Sequence, residues 1–190
     1  MMRVIAGSAG GRRLTAPAGR GTRPTSDRAR EGIFSSVGSM LGPLTGARVL
    51  DLYAGSGAVG LEALSRGAAH ALLVESDAKA ARVIKANIAA LGLPGAELAL
   101  DKAERLAARE CEGEPYDFVF ADPPYALGGA ELTLVLERLA DNGWLAPGAL
   151  VAVERETRGE DLRWPPGIAN ERARRYGEAT VWYGRAAGNP

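Results

Sequence analysis

The residues best suited to chemistry in this sequence lie in the stretch VFADPPY, at positions 119–125. An apolar strand predicted over 116–121 runs directly into an acid, two prolines and an aromatic ring. Neither proline can extend a sheet ladder, because neither carries an N–H, and Asp-Pro and Pro-Pro are common strand stops. A strand stop alone leaves the aromatic ring unexplained. The candidate catalytic residues are therefore Asp122, Pro123, Pro124 and Tyr125.

The acid–base groups available elsewhere are few. His70 and Cys111 are the only histidine and the only cysteine in the 190 residues. This composition excludes an internal disulfide, a cysteine-rich metal site, a histidine-based triad and a zinc site built on several histidines. Proton transfer must therefore fall to carboxylates, amides or backbone groups, and no metal is predicted.

A second candidate site is the glycine-rich stretch GSGAVG at positions 55–60, which follows a predicted strand and precedes a predicted helix. Glycines there would let the backbone approach a ligand. The next predicted strand ends at Glu75, whose carboxylate could accept both hydroxyls of a ribose. The third strand ends in LDKAERL, where Lys102 and Ala103 could read an adenine edge.

Dinucleotides and S-adenosylmethionine both fit this arrangement. A dinucleotide needs its pyrophosphate on the helix N-terminus, whereas S-adenosylmethionine has no phosphate and carries a positive ammonium. Asp51, in the strand before the loop, can help to satisfy that ammonium. Dehydrogenases have no use for Asp-Pro-Pro-Tyr after the fourth strand, so S-adenosylmethionine is the predicted cofactor. Its predicted contacts are Asp51, Tyr53, Ala54, Gly55, Ser56, Gly57, Glu75, Ser76, Lys102, Ala103 and Asp122.

The elements around these residues alternate between strands and helices. Strands are predicted at 48–54, 71–76, 97–101, 116–121 and 149–155, and helices at 58–66, 78–91, 103–110 and 130–141. Short apolar strands separated by helices indicate a parallel sheet covered on both faces. The segment ARRYGEATVWYGR indicates a final antiparallel hairpin around Gly177. The predicted fold is α/β, a doubly wound, mostly parallel, Rossmann-like sheet, and ligands on such sheets bind at the carboxyl ends of the strands.

The N-terminal region differs from the rest in charge. Residues 1–30 carry seven arginines and a single acid, whereas the remainder is acidic and the whole chain is neutral. We predict a basic extension over 1–45, with a small hairpin at 3–17 and a helix capped by Ser26, and a ligand-binding domain over 46–190. Arginine without lysine favours phosphate recognition. Arg30 could instead form an internal ion pair with Asp27 or Glu31.

Several of these stretches together resemble a known family. DLYAGSGAVGLEALSRGA, VESD and FADPPY resemble S-adenosylmethionine-dependent methyltransferases that modify exocyclic amines. RVIAGSAGGRRL, GTRPTSDRAREGIF and NGWLAPGALVAVE resemble, more narrowly, the RsmD-type bacterial methyltransferases of guanine N2 in small-subunit ribosomal RNA. The resemblance runs from Arg3 to about Tyr183, and LALDKAERL is its least typical part.

The resemblance implies a specific chemistry for the proline loop. An exocyclic amine on a nucleobase is a poor nucleophile, because its lone pair is delocalised into the ring. Two acceptors placed about 3 Å from its hydrogens can expose that lone pair, and the Asp122 carboxylate and the Pro123 carbonyl are suited to this. Tyr125 can stack on the base, which must leave its own stack to reach the pocket.

The resemblance also implies the partner, small-subunit ribosomal RNA within an assembled or partly assembled subunit, and we expect a cytoplasmic monomer without membrane contact. Adenine-N6 methylation of DNA, methylation of a protein amide and a non-catalytic Rossmann module remain alternatives. DNA enzymes of this kind usually carry a recognition domain, for which about 45 residues leave no room. The predicted RNA contacts are Arg12, Arg13, Arg23, Pro24, Thr25, Asp27 and Arg28.

Overall fold

The computed structural model describes residues 2–18 and 25–188. Within these ranges the chain forms, in order, β1 (Met2–Arg3), β2 (Arg13–Leu14), α1 (Asp27–Leu41), β3 (Arg48–Leu52), α2 (Ala58–Ser65), β4 (His70–Glu75), α3 (Ala78–Leu91), β5 (Ala96–Leu100), α4 (Ala103–Ala107), β6 (Tyr116–Ala121), α5 (Gly129–Asp141), β7 (Leu145–Glu156), β8 (Ile168–Tyr176) and β9 (Ala179–Ala186).

The central sheet has seven strands in the order β5-β4-β3-β6-β7-β9-β8. The first five strands are parallel, and β9 pairs antiparallel with both β7 and β8. The predicted fold class, including the final hairpin, is therefore confirmed. Several boundaries differ by one to three residues, and the largest difference is in β7, which begins at Leu145 rather than at 149. Leu145 pairs with Tyr116 across an irregularity in the register of β6 and β7.

The strand order brings the two candidate loops together. The chain leaves β3 towards β4 and β5 on one side, and β6 lies on the other side of β3. Leu52 at the end of β3 pairs with Ala121 at the end of β6. The glycine loop and the proline loop therefore start at adjacent strand ends, where the strand order reverses and where such sheets bind their ligands.

Each face of the sheet has its own hydrophobic core. On one face, α1 and α2 pack on β3 and β6, and the rings of Phe34 and Phe118 meet edge to face with their centroids 6.4 Å apart. On the other face, α4 and α5 cover Val119 and Val153. Strands buried on both faces read as continuous apolar runs, which is why the sequence predicted them well.

The N-terminal hairpin of β1 and β2 is fastened to α2 by a buried carboxylate. Glu62 is fully buried and accepts hydrogen bonds from the backbone N–H groups of Ile5 (2.8 Å) and Ala6 (3.1 Å) and from the side chain of Arg66 (2.9 Å). The backbone at Gly7, with φ of 82°, comes so close that a Cβ there would lie 1.9 Å from the Ser65 carbonyl oxygen. The hairpin and the sheet thus share one core.

Helix α1 begins as predicted, with the Ser26 hydroxyl accepting from the Ala29 N–H at 3.1 Å. Arg30 in its first turns is fully buried, pairs with Asp27 and donates to the Arg3 carbonyl at 2.8 Å. The internal ion pair considered for Arg30 is therefore present. A buried guanidinium needs such partners, because an unpaired buried charge is strongly destabilising.

Candidate active site

The glycine loop between β3 and α2 follows a strained path that its residues permit. Tyr53, Gly55 and Gly57 have φ values of 57°, 61° and 81°, a region that suits glycine and disfavours most other residues. Gly60 N–H donates to Asp51 Oδ2 at 2.9 Å. A Cβ on Gly60 would lie 2.5 Å from Leu73 Cδ2, so this glycine allows α2 to approach the sheet.

Asp51 is a buried acid at the floor of this loop, with 2% of its surface exposed. Burial raises the pKa of its carboxyl to about 8, and the nearby charge of Glu75 adds to the rise. A carboxyl held in this way gains by meeting a cation, because a positive neighbour favours its ionised form. A positively charged ligand group in this cleft would therefore stabilise the ionised form of Asp51.

Glu75, at the end of β4, closes the other side of the loop. Its two carboxylate oxygens accept from Gly55 N–H and from Asp77 N–H, each at 2.9 Å. The side chain thus shapes the glycine loop and presents its charge beside it. Sequence reasoning anticipated the position of Glu75, but not that its oxygens would hold the backbone.

A cleft of about 670 Å³ lies over the carboxyl ends of β3, β4, β5 and β6. This volume is in the range of about 300–1,000 Å³ that is usual for small-molecule sites. Of the predicted cofactor contacts, the structure places all but Gly57 along this cleft, namely Asp51, Tyr53, Ala54, Gly55, Ser56, Glu75, Ser76, Lys102, Ala103 and Asp122. Glu104 also lines it and accepts from the Tyr53 hydroxyl at 3.2 Å, a partner that the sequence did not indicate.

The proline loop begins at the edge of the same cleft. Asp122 is half-buried, Pro123 is buried, and Tyr125 has 54% of its surface exposed. The Pro124 carbonyl accepts from Leu127 N–H at 2.9 Å, and Arg155 donates to the Leu127 carbonyl at 2.8 Å. The loop is therefore fixed from within and from β7. Pro124 lines the cofactor cleft, whereas Tyr125 lines a second cleft of about 760 Å³ and not the first.

Two acids meet at the mouth of the site, and one of them was missed from the sequence. Burial raises the pKa of Asp122 well above its usual range, with further contributions from the charges of Glu154 and Asp51 and an opposing one from Arg155. Burial also raises the pKa of Glu154. Glu154 directly follows the apolar run of β7, as Glu75 directly follows that of β4. This shared pattern in the sequence could have identified Glu154 as a candidate site residue.

Comparisons with known proteins agree with this geometry. The family model described as conserved hypothetical protein 95 matches residues 2–185. Over 155 residues the chain is 43% identical to ribosomal RNA small subunit methyltransferase D of Escherichia coli, covering 82% of this chain and 75% of that protein. The Haemophilus influenzae protein of the same name is 35% identical over 157 residues, 82% of this chain and 79% of that one.

This chain belongs to the ribosomal RNA small subunit methyltransferase D family. The solved structure of yhhF from Escherichia coli has a TM-score of 0.83 to it, with 35% identity and 99% of both chains covered. The family resemblance and the enzyme class drawn from the sequence, a methyltransferase, are confirmed. The fold and the family imply use of S-adenosylmethionine in general.

The predicted RNA contacts of the methyltransferase have several different environments. Arg13 and Arg28 are exposed. Arg12, in contrast, donates to the carbonyl oxygens of Ala90 and Leu91 and so binds the end of α3, a structural contact that the sequence did not indicate. Asp27 is engaged by Arg30 and by Arg3, the latter at 3.4 Å, and Thr25 lines the cleft. Arg23 and Pro24 lie outside the described residues.

Two broader findings concern metals and membranes. Across residues 2–18 and 25–188, no group of three or more histidine, cysteine, aspartate or glutamate side chains could hold a metal ion. In the same ranges, every helix is too short or too polar to span a bilayer.

Replacing Glu75 with alanine should weaken the binding of S-adenosylmethionine by about 10- to 100-fold, because a charged hydrogen-bond acceptor contributes roughly 1.5–3 kcal/mol. The variant also frees the N–H groups of Gly55 and Asp77. Isothermal titration calorimetry measures the change, and Glu97→Ala, which removes an exposed acid of β5, is the matched control. Equal affinity in wild type and Glu75→Ala would rule out Glu75 as a cofactor ligand.

Proposed function

We propose that this chain transfers a methyl group from S-adenosylmethionine to the exocyclic N2 amine of a guanine in small-subunit ribosomal RNA. The observation that carries the proposal is the position of Asp122 at the edge of the cleft, beside an exposed aromatic ring. The relatives named as ribosomal RNA methyltransferases support the substrate class, and guanine N2 follows from the motifs that resemble the RsmD type.

The residues of the cleft fit the cofactor. The buried carboxyl of Asp51 suits its ammonium, and the carboxylate of Glu75 at the end of β4 suits the ribose hydroxyls. Lys102 and Ala103 line the far end, where an adenine would lie. When bound, S-adenosylmethionine supplies a sulfonium-activated methyl group, so the work left to the protein is mainly alignment, which can contribute on the order of 7–11 kcal/mol.

The proline loop would prepare the amine. The Asp122 carboxylate and the Pro123 carbonyl each accept a hydrogen bond from the amine. These hydrogen bonds direct the nitrogen lone pair towards the cleft. The Tyr125 ring stacks on the base and holds it out of its helix, which is worth roughly 1–3 kcal/mol. The nitrogen gains the methyl and loses one proton, which passes to Asp122 or to water. Because the loop is fixed by Arg155, these acceptors need little reorganisation.

Labelled S-adenosylmethionine tests the proposal directly. The protein is incubated with unmodified small-subunit ribosomal RNA, with ribonucleoprotein particles assembled from it, or with DNA, and labelled nucleosides are identified by mass spectrometry. We expect N2-methylguanosine in RNA or particles. Label in N6-methyladenine of DNA or in protein would instead support the corresponding alternative and refute the proposal. The more active of the two RNA substrates would also identify the partner, which we propose to be an assembled particle in the cytoplasm.

Replacing both Arg13 and Arg28 with alanine should weaken RNA binding and flatten its salt dependence. Both side chains are exposed near the hairpin and α1. Each phosphate contact contributes roughly 0.7–0.9 to the slope of log affinity against log salt, so two lost contacts lower the slope by about 1.4–1.8. Binding measured at several salt concentrations gives the slope. Arg138→Ala, on α5 across the sheet, is the control, and an unchanged slope in the double variant would mean that RNA binds elsewhere.

A further inference from the structure

Two carboxyl groups at the adjacent ends of β6 and β7 have few partners within the described chain. Asp122 and Glu154 are both half-buried. Neither takes part in an ion pair among residues 2–18 and 25–188. In the same ranges, the Thr25 hydroxyl is the one hydrogen-bond donor to Glu154, at 3.2 Å. Both carboxyls therefore remain accessible and have acceptor capacity that the described chain does not fill, which a ligand with N–H donors could use.

The register of the sheet places the two acids side by side. Ala121 of β6 pairs with Val153 of β7, and each acid is the next residue along its parallel strand. Neighbouring strands lie about 4.8 Å apart, so both side chains leave the sheet at adjacent positions. Thr25 lines the cofactor cleft and holds one oxygen of Glu154 at this point. The carboxyl groups of Asp122 and Glu154 thus provide two adjacent hydrogen-bond acceptors.

A target base would reach Asp122 from the side of β7. The cofactor cleft occupies the ends of β3, β4 and β5 on one side of Asp122, and β7 lies on the other side of β6. With the amine on Asp122 and turned towards the cleft, the neighbouring ring nitrogen of the base would face Glu154. The identity of that ring atom then decides whether the contact is attractive.

Guanine differs from the other amino-bearing bases at this atom. Its N2 amine is adjacent to a ring N1–H, so its Watson–Crick edge presents two neighbouring donors. In adenine and in cytosine, the ring nitrogen next to the amine is an acceptor, which a carboxylate repels. We propose that Glu154 selects guanine by accepting a hydrogen bond from N1–H, while Asp122 accepts a hydrogen bond from the N2 amine. A flipped base is commonly read through hydrogen bonds to this edge.

The electrostatics of the pair agree with this role. Burial and the proximity of like charges disfavour two ionised carboxyls, and two adjacent donors of a base relieve both effects. A site that is built to hydrogen-bond a substrate N–H strongly rejects an analogue without it, because its own polar groups then remain unpaired. The inference rests on the proposed function, since it requires a base amine on Asp122.

The test compares guanine with 2-aminopurine, which keeps the amine but has an acceptor in place of the N1–H. The nucleotide that wild type methylates in unmodified small-subunit ribosomal RNA is first mapped by nuclease digestion and mass spectrometry. RNA carrying either base at that position is then assembled by ligation, and methyl transfer is measured under single-turnover conditions for wild type and Glu154→Gln. Glu97→Gln, an exposed acid of β5 away from the site, is the control.

We expect wild type and Glu97→Gln to prefer guanine by at least about tenfold. Glu154→Gln should methylate guanine about 5- to 10-fold more slowly, because its amide oxygen can still accept from N1–H but carries no charge. The 2-aminopurine rate should be unchanged or higher, because the new amide can donate to the ring nitrogen. The change in the guanine-to-2-aminopurine ratio is the decisive quantity, since intrinsic differences between the two amines cancel in it.

Other outcomes separate the inference from the proposed function. If Glu154→Gln lowers the rates of methyl transfer to guanine and to 2-aminopurine by the same factor, or lowers neither rate, the inference is wrong while the proposed function stands. If wild type itself methylates 2-aminopurine as fast as guanine, the inference is wrong. This comparison needs no variant, so it tests the inference even if Glu154→Gln does not fold. If wild type labels no guanine amine at all, the proposed function fails and the inference fails with it.

Discussion

Replacing Asp122 with alanine should lower the rate of methyl transfer by about 100- to 1,000-fold while leaving the affinity for S-adenosylmethionine within a few-fold of wild type. One preorganised acceptor aimed at a developing charge is typically worth this factor. Asp122 borders the cleft from β6, whereas the charged groups proposed to hold the cofactor, Asp51 and Glu75, lie on β3 and β4. Losing the Asp122 side chain should therefore affect the chemical step far more than cofactor binding.

Single-turnover transfer to RNA and calorimetry with the cofactor measure the two quantities separately. Asp141→Ala, an exposed acid at the end of α5, is the matched control. Asp122→Asn keeps one carbonyl oxygen as an acceptor and should retain an intermediate rate. A rate above half of wild type in Asp122→Ala would exclude the proposed role.

The same carboxyl should set the acid limb of the pH–rate profile. Asp122 accepts an amine hydrogen best when ionised, and burial together with Glu154 and Asp51 raises its pKa well above the usual range. Activity should thus be lost, as pH falls, at a higher pH than an ordinary aspartate would dictate. Wild type and Asp141→Ala should both show this acid limb. Asp122→Ala lacks the carboxyl that produces it and should not show it.

The parts of this molecule that the sequence predicted are those encoded by local patterns. The glycine loop, the acid at Glu75 and the proline loop each combine a short motif with the end of an apolar strand. In a parallel sheet all such ends share one edge, so motifs far apart in sequence converge without further information. This is why nearly all of the predicted cofactor contacts line one cleft.

Contacts between distant, individually unremarkable residues could not be predicted in the same way. Arg12 binds the end of α3 79 residues away, and Thr25 meets Glu154 across 129 residues. Their residue types fit a solvated surface equally well, and only the folded chain decides their partners. Glu62 is an instructive case, because its place in an apolar helix was visible, but the two backbone N–H groups that explain it are 56 and 57 residues away.

Replacing Asp51 with asparagine should stabilise the protein at pH 8–9 while weakening its binding of S-adenosylmethionine. Asp51 is 2% exposed, and its pKa is raised to about 8 from an ordinary value near 3.8. A carboxyl whose pKa is raised on folding holds its proton in the folded state between these two values and releases it in the unfolded state. The free energy of unfolding therefore declines as pH rises from about 4 to about 8.

The full shift from 3.8 to about 8 corresponds to about 6 kcal/mol at 1.36 kcal/mol per unit, an upper bound that relaxation around the charge reduces. Asparagine has no charge to bury, and its carbonyl can still accept from Gly60 N–H, as Asp51 Oδ2 does. We expect Asp51→Asn to match wild type at or below about pH 4 and to exceed it by about 1–3 kcal/mol at pH 9. Denaturant unfolding at several pH values measures this difference, in which the similar pH dependence of Asp122 and Glu154 largely cancels.

The cofactor should reduce or reverse the stability advantage of Asp51→Asn. If Asp51 is kept charged for an ammonium, S-adenosylmethionine binds wild type at least about tenfold more tightly than Asp51→Asn, since a hydrogen bond to a charged group contributes roughly 1.5–3 kcal/mol. Saturating cofactor then raises the melting temperature of wild type more than that of the variant. Asp51→Asn that is less stable than wild type at pH 9 would show that the ionised carboxyl stabilises the fold itself. The combination of a more stable free protein and a weaker complex would identify Asp51 as a residue that is retained for its ligand at the expense of stability.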